Sequence, residues 1–433
     1  MKSLLLLDLT GRVFLKKEKI FYWLVSAFFI SLFLPDMPVI NNILIGATVI
    51  HSFYYSSFGD KMRLLRKRKE IWLMLGFFIW QVVSALLSAN PQEGLRMLVM
   101  RLPLLVFPLF IGSLYIREEL KDRILLSYCL FTTLACTVCM TYAIWQYRET
   151  GNIIGLFDEN LTMLLGRRSV YIAMGVNIAL FTYVYLLQKN SFAIQYKGLV
   201  FLSIIFLVIF HYMLANRIAI ATLYTGFACF TLYHYGRAGQ WRKAILLIVV
   251  LVGAAAVMLC LFPDTANRFR QLTHHSDQKL LHQYDEKLLT ADQYNETNFR
   301  LAIWKGGWAI HHAHPWAGVP LGDKQAAYLQ SYRALGLDFA LEANLNMHNT
   351  YLDVLCNTGY IGFLVFVLGY LILPTVSRVR SKDGLGLFIV IAFGIAMCTE
   401  TWPDRSLGCI MLGFFLSLVS AWKKEDHNND RYA

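Results

Sequence analysis

Met347-His348-Asn349-Thr350-Tyr351-Leu352, running on to Gly359-Tyr360-Ile361-Gly362, marks the passage from a long polar stretch into an apolar run that ends near Leu373. The polar stretch starts near Pro263 and is rich in His, Gln, Asp and Asn, whereas the chain on either side is dominated by apolar runs. Runs of roughly 20 apolar residues are long enough to cross about 30 Å of hydrocarbon. About twelve are counted at that window length, near 20–34, 42–58, 71–88, 98–115, 124–145, 170–187, 199–214, 218–235, 244–262, 351–373, 385–398 and 407–422. The expected fold is therefore an all-α polytopic integral membrane protein with about twelve transmembrane helices. Residues 1–262 would carry spans one to nine, 263–350 one large and partly helical outside loop, 351–422 spans ten to twelve, and 423–433 a cytoplasmic tail.

Composition agrees with that class. Of 433 residues, 57% are hydrophobic and 16% charged, against about 25% charged in soluble domains. The formal net charge of +12 does not point to nucleic acid, because Lys and Arg cluster beside apolar runs. The clusters 12–19, 61–69, 117–123, 189–197, 237–243, 378–382 and 423–424 fall on alternate sides of successive spans. Taken as cytoplasmic, they put both termini inside and 263–350 outside. Trp72, Trp145, Trp241 and Trp422 near span ends fit an interfacial belt. The 8 cysteines stand singly and suggest neither disulfides nor a metal cluster. Leu4 to Leu7 is too short for a signal-peptide core, so the first span is the expected insertion signal.

Within the large loop, 268–289 and 298–312 have the spacing of amphipathic helices and 314–322 carries turn residues. A smaller outside segment, 146–169, includes Gly151, Gly155, Arg167 and Arg168. Arg217 sits in a short turn between two apolar runs, where a charge either binds a ligand or reaches lipid headgroups. Arg300 opens an amphipathic stretch and taken alone reads as a solvated helix residue rather than a ligand contact; a second guanidinium near Arg217 would suit a phosphate or pyrophosphate. His348, just before a span, is either a hydrogen-bonded structural group or a base able to take a proton from a hydroxyl. His274, His275, His311, His312 and His314 lack the ligand spacing of a catalytic zinc, so no metal is expected. Gly359 and Gly362 read as helix-packing positions, and Glu400, Asp404 and Arg405 as residues that could pair with one another. Neither a P-loop nor a dinucleotide fingerprint occurs, and no cofactor is expected.

Arg300-Leu301-Ala302-Ile303-Trp304, then His314-Pro315-Trp316-Ala317-Gly318-Val319-Pro320-Leu321-Gly322, then His348-Asn349-Thr350-Tyr351-Leu352 with Gly359-Tyr360-Ile361-Gly362, resemble the signature of the O-antigen ligase and polymerase superfamily. Arg217 is similar to the arginine those proteins carry ahead of their large periplasmic loop, and the layout of spans resembles theirs over nearly the whole chain. Pro320 departs from the glycine common in the family. In size and span count the resemblance is nearest to the lipid A-core O-antigen ligases. It implies inverting, metal-independent transfer of a glycan from undecaprenyl pyrophosphate to lipid A-core at the periplasmic face of the bacterial inner membrane. His348 would be the general base, and Arg217 and Arg300 would hold the donor pyrophosphate. An O-antigen polymerase or a protein O-oligosaccharyltransferase of the same superfamily remains open. A secondary transporter or flippase is more distant, because the unusual polar residues gather at an outer face rather than the midplane.

Overall fold

The computed structural model describes residues 15–35, 37–189, 194–270 and 296–422, and among them every regular element is a helix. The first half runs through α1 (Lys16–Leu32), α2 (Pro38–Tyr55), α3 (Phe58–Lys67), α4 (Lys69–Leu86), α5 (Pro91–Arg101), α6 (Pro103–Phe110) and the long α7 (Glu118–Thr150). After the short α8 (Asp158–Leu161) come α9 (Ser169–Gln188), α10 (Ile194–Met213), α11 (Arg217–Arg237), α12 (Trp241–Leu261) and α13 (Pro263–Arg270). The second half holds α14 (Glu296–Ala313), α15 (Lys324–Leu335), α16 (Asp338–Glu342), α17 (Thr350–Val367), a π-helical turn at Leu368–Ile372, α18 (Leu373–Arg380), α19 (Gly384–Ala396) and α20 (Ser406–Ala421).

Each of the expected apolar runs falls on a helix or a helix pair. Six helical stretches are long and apolar enough by themselves to cross a membrane: Lys69–Leu86, Glu118–Thr150, Ser169–Gln188, Tyr196–Met213, Trp241–Leu261 and Thr350–Arg380. Others are shorter, such as α19 and α20, and the run at 98–115 is split between α5 and α6 at Pro103, where proline lacks the N–H of a continuing helix. The helix expected at 298–312 is α14. Of the one expected at 268–289, only the beginning falls within α13; its remainder, His274, His275 and the tail 423–433 lie outside the described residues.

Aromatic side chains fill the centre of the bundle. Phe28 lies 5.0 Å from Phe414, Phe29 5.0 Å from Tyr128, and Tyr128 5.0 Å from Phe415. Such pairs add about 0.5–1.5 kcal/mol each beyond area burial. Close packing is what holds helices together when the surroundings are as apolar as the side chains. By contrast α12 buries only Ala244, so its apolar surface faces outward, as a lipid-facing helix must. This is a membrane protein.

Four basic clusters meet at one end of the bundle. Arg117 pairs with Glu18 at 2.5 Å, Lys17 donates to the Tyr55 carbonyl at 2.9 Å, Arg68 donates to the Leu114 carbonyl at 2.6 Å, and Arg378 donates to the Val419 carbonyl at 3.0 Å. At the opposite end α14 packs on α17, and residues of α14 and α16 line one cavity with the starts of α9 and α11 and the residues just after α19.

Candidate active site

The run His348 to Tyr351 explains itself residue by residue. His348 has φ +43°, a left-handed conformation that histidine enters more readily than most residues but still at a cost of about 1 kcal/mol or more. Its N–H donates to Asn346 Oδ1 at 3.1 Å. Asn349 caps α17, accepting from the Leu352 N–H at 3.1 Å, as asparagine does at helix starts. The fully buried Thr350 donates to the Glu400 carbonyl at 2.7 Å and accepts from the Trp402 N–H at 3.0 Å. Tyr351 donates to the Gly394 carbonyl at 2.6 Å. Together these bonds fix the connection after α19 against the start of α17, which sets Glu400 Oε2 3.5 Å from His348 Nδ1. At that separation no hydrogen bond is formed, and the pair attracts as opposite charges once the ring takes a proton.

His348, Arg217 and Arg300 all line one cavity of about 1040 Å³. Arg217 opens α11 just after Asn216, whose side chain accepts from the Ala219 N–H at 2.9 Å. Arg300 lies in the first turns of α14, which is seated by the buried Ala302 and Ile303 in a small core with Tyr328, Tyr332, Phe339 and Met347. Trp304 Nε1 bonds the Met347 carbonyl at 2.9 Å, tying the helix of Arg300 to the residue before His348. The sequence thus named three residues that the fold brings to one place.

It gave no role to two others there. Arg168, just before α9, stands with NH1 3.8 Å from Glu400 Oε2. Glu400 does not pair with Asp404 or Arg405; it faces His348 and Arg168 instead. Burial pushes the Glu400 carboxyl up, but His348, Arg168 and Arg300 outweigh it and hold it below the usual carboxylate range. The cavity also holds Asp158, Glu159 and Glu342. Glu159 accepts from Ser169 N at 2.9 Å, yet burial outweighs that bond and raises its carboxyl. A buried carboxylate requires a partner, and that was the available signal for Glu400; which partner it takes depends on the packing.

The loop after α14 is locked from both sides. α17 breaks at Gly359 (φ +60°, ψ −168°), and the loop backbone enters the break: Val319 N donates to the Cys356 carbonyl at 2.8 Å and Tyr360 N to the Pro315 carbonyl at 2.8 Å. Broken backbone inside an apolar helix is tolerated where protein groups satisfy it. A Cβ on Gly318 (φ +72°) would sit 2.4 Å from Thr358 N, and one on Gly359 would sit 2.2 Å from the Trp316 carbonyl. Two backbones touch there without side chains between them. Gly362 packs closely, as expected, against Thr358 and Trp80; Gly359 does something further.

Beyond the loop, Asp323 accepts from the N–H groups of Ala89 and Asn90 at 2.8 and 2.9 Å. Lys324 pairs with Asp353 at 2.9 Å and Asp404 at 2.5 Å, and Arg101 pairs with Asp404 at 2.8 Å. Two cations and two carboxylates, nearly all buried, balance beside the site. Among the described residues, no three His, Cys, Asp or Glu side chains gather as metal ligands would.

Fold and site define a polytopic membrane protein whose ionisable residues converge in a cavity at one end of a helix bundle. Residues 202–367 match the O-Antigen ligase family, which supports membership of the O-antigen ligase and polymerase superfamily, whose members are glycosyltransferase-like enzymes. The matched stretch contains Arg217, Arg300, His348 and both touching glycines; Arg168 and Glu400 lie outside it. No curated protein matches the chain.

Proposed function

We propose that the protein is an O-antigen ligase, transferring a glycan from undecaprenyl pyrophosphate to lipid A-core at the periplasmic face of the bacterial inner membrane. The observation that carries this reading is the convergence of His348, Arg217 and Arg300 on one cavity, with Glu400 behind the histidine. The basic clusters gathered at the far end would then lie in the cytoplasm, as positively charged connections do.

In the proposed reaction the acceptor hydroxyl attacks the anomeric carbon from the face opposite the pyrophosphate, and a single displacement inverts the configuration. The new C–O bond forms as the bond to pyrophosphate breaks, its electron pair leaving on the pyrophosphate oxygen. The hydroxyl proton passes to the His348 ring nitrogen that does not face Glu400, a general-base role worth about 10² to 10⁴ in rate. The Glu400 carboxylate stabilises the resulting imidazolium. Arg217 and Arg300 bind the pyrophosphate and meet the charge that develops on it. The phosphoanhydride donor supplies the driving force without a nucleotide, and its polyprenyl tail stays in the bilayer.

The test is transfer by purified protein from undecaprenyl-pyrophosphate glycan to lipid A-core, in chelator, for wild type, His348→Ala and Arg217→Glu. Chelator-resistant product whose rate falls by about 10² to 10⁴ in His348→Ala, with donor affinity weakened by Arg217→Glu, supports the reading. Undiminished transfer by His348→Ala removes the base; elongation of the lipid-linked glycan with no product on lipid A-core makes the protein a polymerase.

A further inference from the structure

His348 lines a second cavity as well. It has a volume of about 360 Å³, toward the small end of the roughly 300–1,000 Å³ usual for ligand pockets. Its walls include Glu93, Arg96, Gln325, Asn344, Asn346 and Arg405, and it shares His348 and Arg168 with the larger cavity. With Ala343 and Leu345 these two residues stand between the chambers, so the His348 side chain borders both.

The lining has the chemistry of a sugar site. Gln325 Nε2 donates to Asn344 Oδ1 at 2.9 Å, which orients two side-chain amides. Asn346 is held by the His348 N–H at 3.1 Å. Arg96 grips Glu93 with two bonds, at 2.7 and 2.5 Å. Amides and a surface carboxylate–guanidinium pair present both donors and acceptors, as a ring of hydroxyls requires. Charge adds a second feature. Arg96, Arg168, Lys324 and Arg405 face two carboxylates, Glu93 and Asp404, a formal excess of two positive charges. Glu93 is engaged by Arg96, and Asp404 by Lys324. Arg168 is drawn toward Glu400 at 3.8 Å in the larger cavity, which leaves the exposed Arg405 to carry the excess in this one.

We infer that this smaller cavity is the acceptor subsite: it holds a terminal sugar of an acceptor glycan bearing an anionic substituent, with its nucleophilic hydroxyl turned toward His348. The inference rests on the function proposed above, in which the donor pyrophosphate occupies the larger cavity with Arg217 and Arg300. A displacement needs donor and acceptor on opposite sides of the reacting carbon, and two chambers that meet at one base provide that arrangement.

The test uses full-length protein in lipid nanodiscs and equilibrium binding of lipid A-core, native and with its phosphates removed. Native lipid A-core is expected to bind in the presence of saturating undecaprenyl pyrophosphate. Arg405→Ala should weaken that binding about tenfold, the scale of one charge-assisted hydrogen bond, while leaving dephosphorylated lipid A-core and undecaprenyl pyrophosphate unaffected. Gln325→Ala should weaken native and dephosphorylated forms alike. Displacement of lipid A-core by undecaprenyl pyrophosphate, absence of binding, or an Arg405→Ala affinity equal to wild type would overturn the subsite. Binding that behaves as expected while wild type transfers no glycan would keep the subsite and defeat the transfer reading.

Discussion

Glu400→Gln isolates the contact that the sequence did not foresee. The substitution keeps size and hydrogen-bonding capacity but removes the negative charge 3.5 Å from His348 Nδ1. Opposite unit charges at that distance attract by about 4–5 kcal/mol at an effective dielectric of about 20. Two features reduce this. His348 retains 21% of its side-chain exposure, and Arg168 draws on the same carboxylate oxygen from 3.8 Å. About 2 kcal/mol of stabilisation for the positive charge that develops on the ring in the transition state is a reasonable remainder, equivalent to about thirtyfold in rate. Single-turnover transfer at neutral pH should therefore slow about thirtyfold in Glu400→Gln, with donor affinity unchanged. Because Glu400 acts through His348, the same substitution made in His348→Ala should cost nothing further. An equal loss in both backgrounds, or a rate within twofold of wild type, would refute the reasoning.

Lys324→Met leaves Asp353 and Asp404 sharing Arg101 alone, and breaking a buried pair in this way costs about 3–5 kcal/mol; the melting temperature of the purified protein should drop markedly, and an unchanged one would show the quartet to be dispensable. Gly359→Ala forces an alanine to φ +60°, ψ −168°, a region essentially reserved to glycine, at about 1–3 kcal/mol, and drives the loop off α17 with loss of hydrogen bonds worth about 1 kcal/mol each. Thermal unfolding should register a total of about 4 kcal/mol, whereas Gly151→Ala, at the open end of α7 with nothing within 4 Å, should lose little more than the conformational part. The pH dependence has a definite sign. The Asp404 carboxyl, lifted by burial but held down by Lys324 and Arg101, lies below its ordinary value, as does that of Glu400. Their stabilisation is fully present above the ordinary carboxylate range and is lost as pH falls through the lower folded values. Glu159, raised by burial, works in the opposite direction. Melting temperature should stay level from neutral to about pH 5 and fall below about pH 4, with a shallower fall in Asp404→Asn.

The membrane class was legible in the sequence because hydrocarbon imposes one requirement on every crossing segment, and that requirement leaves apolar runs that can be read in isolation. Arg217 and His348 stand out in the sequence because each is a polar group beside an apolar run, and Arg300 through the family motif it opens; the structure lines one cavity with all three. Tertiary structure alone decided the rest. Arg168 and Glu400 are separated by more than half the chain and meet only because the starts of α9 and α17 pack beside the end of α19. Asp404, four residues after Glu400, turns instead to Lys324 and Arg101. The glycine at 359 looked like a packing position and proves to be a break that residues 315–319 fill. A charge or a helix break declares in the sequence that it needs a partner; the partner is chosen by which helix ends the packing brings within a few ångströms, and local spacing holds no record of that.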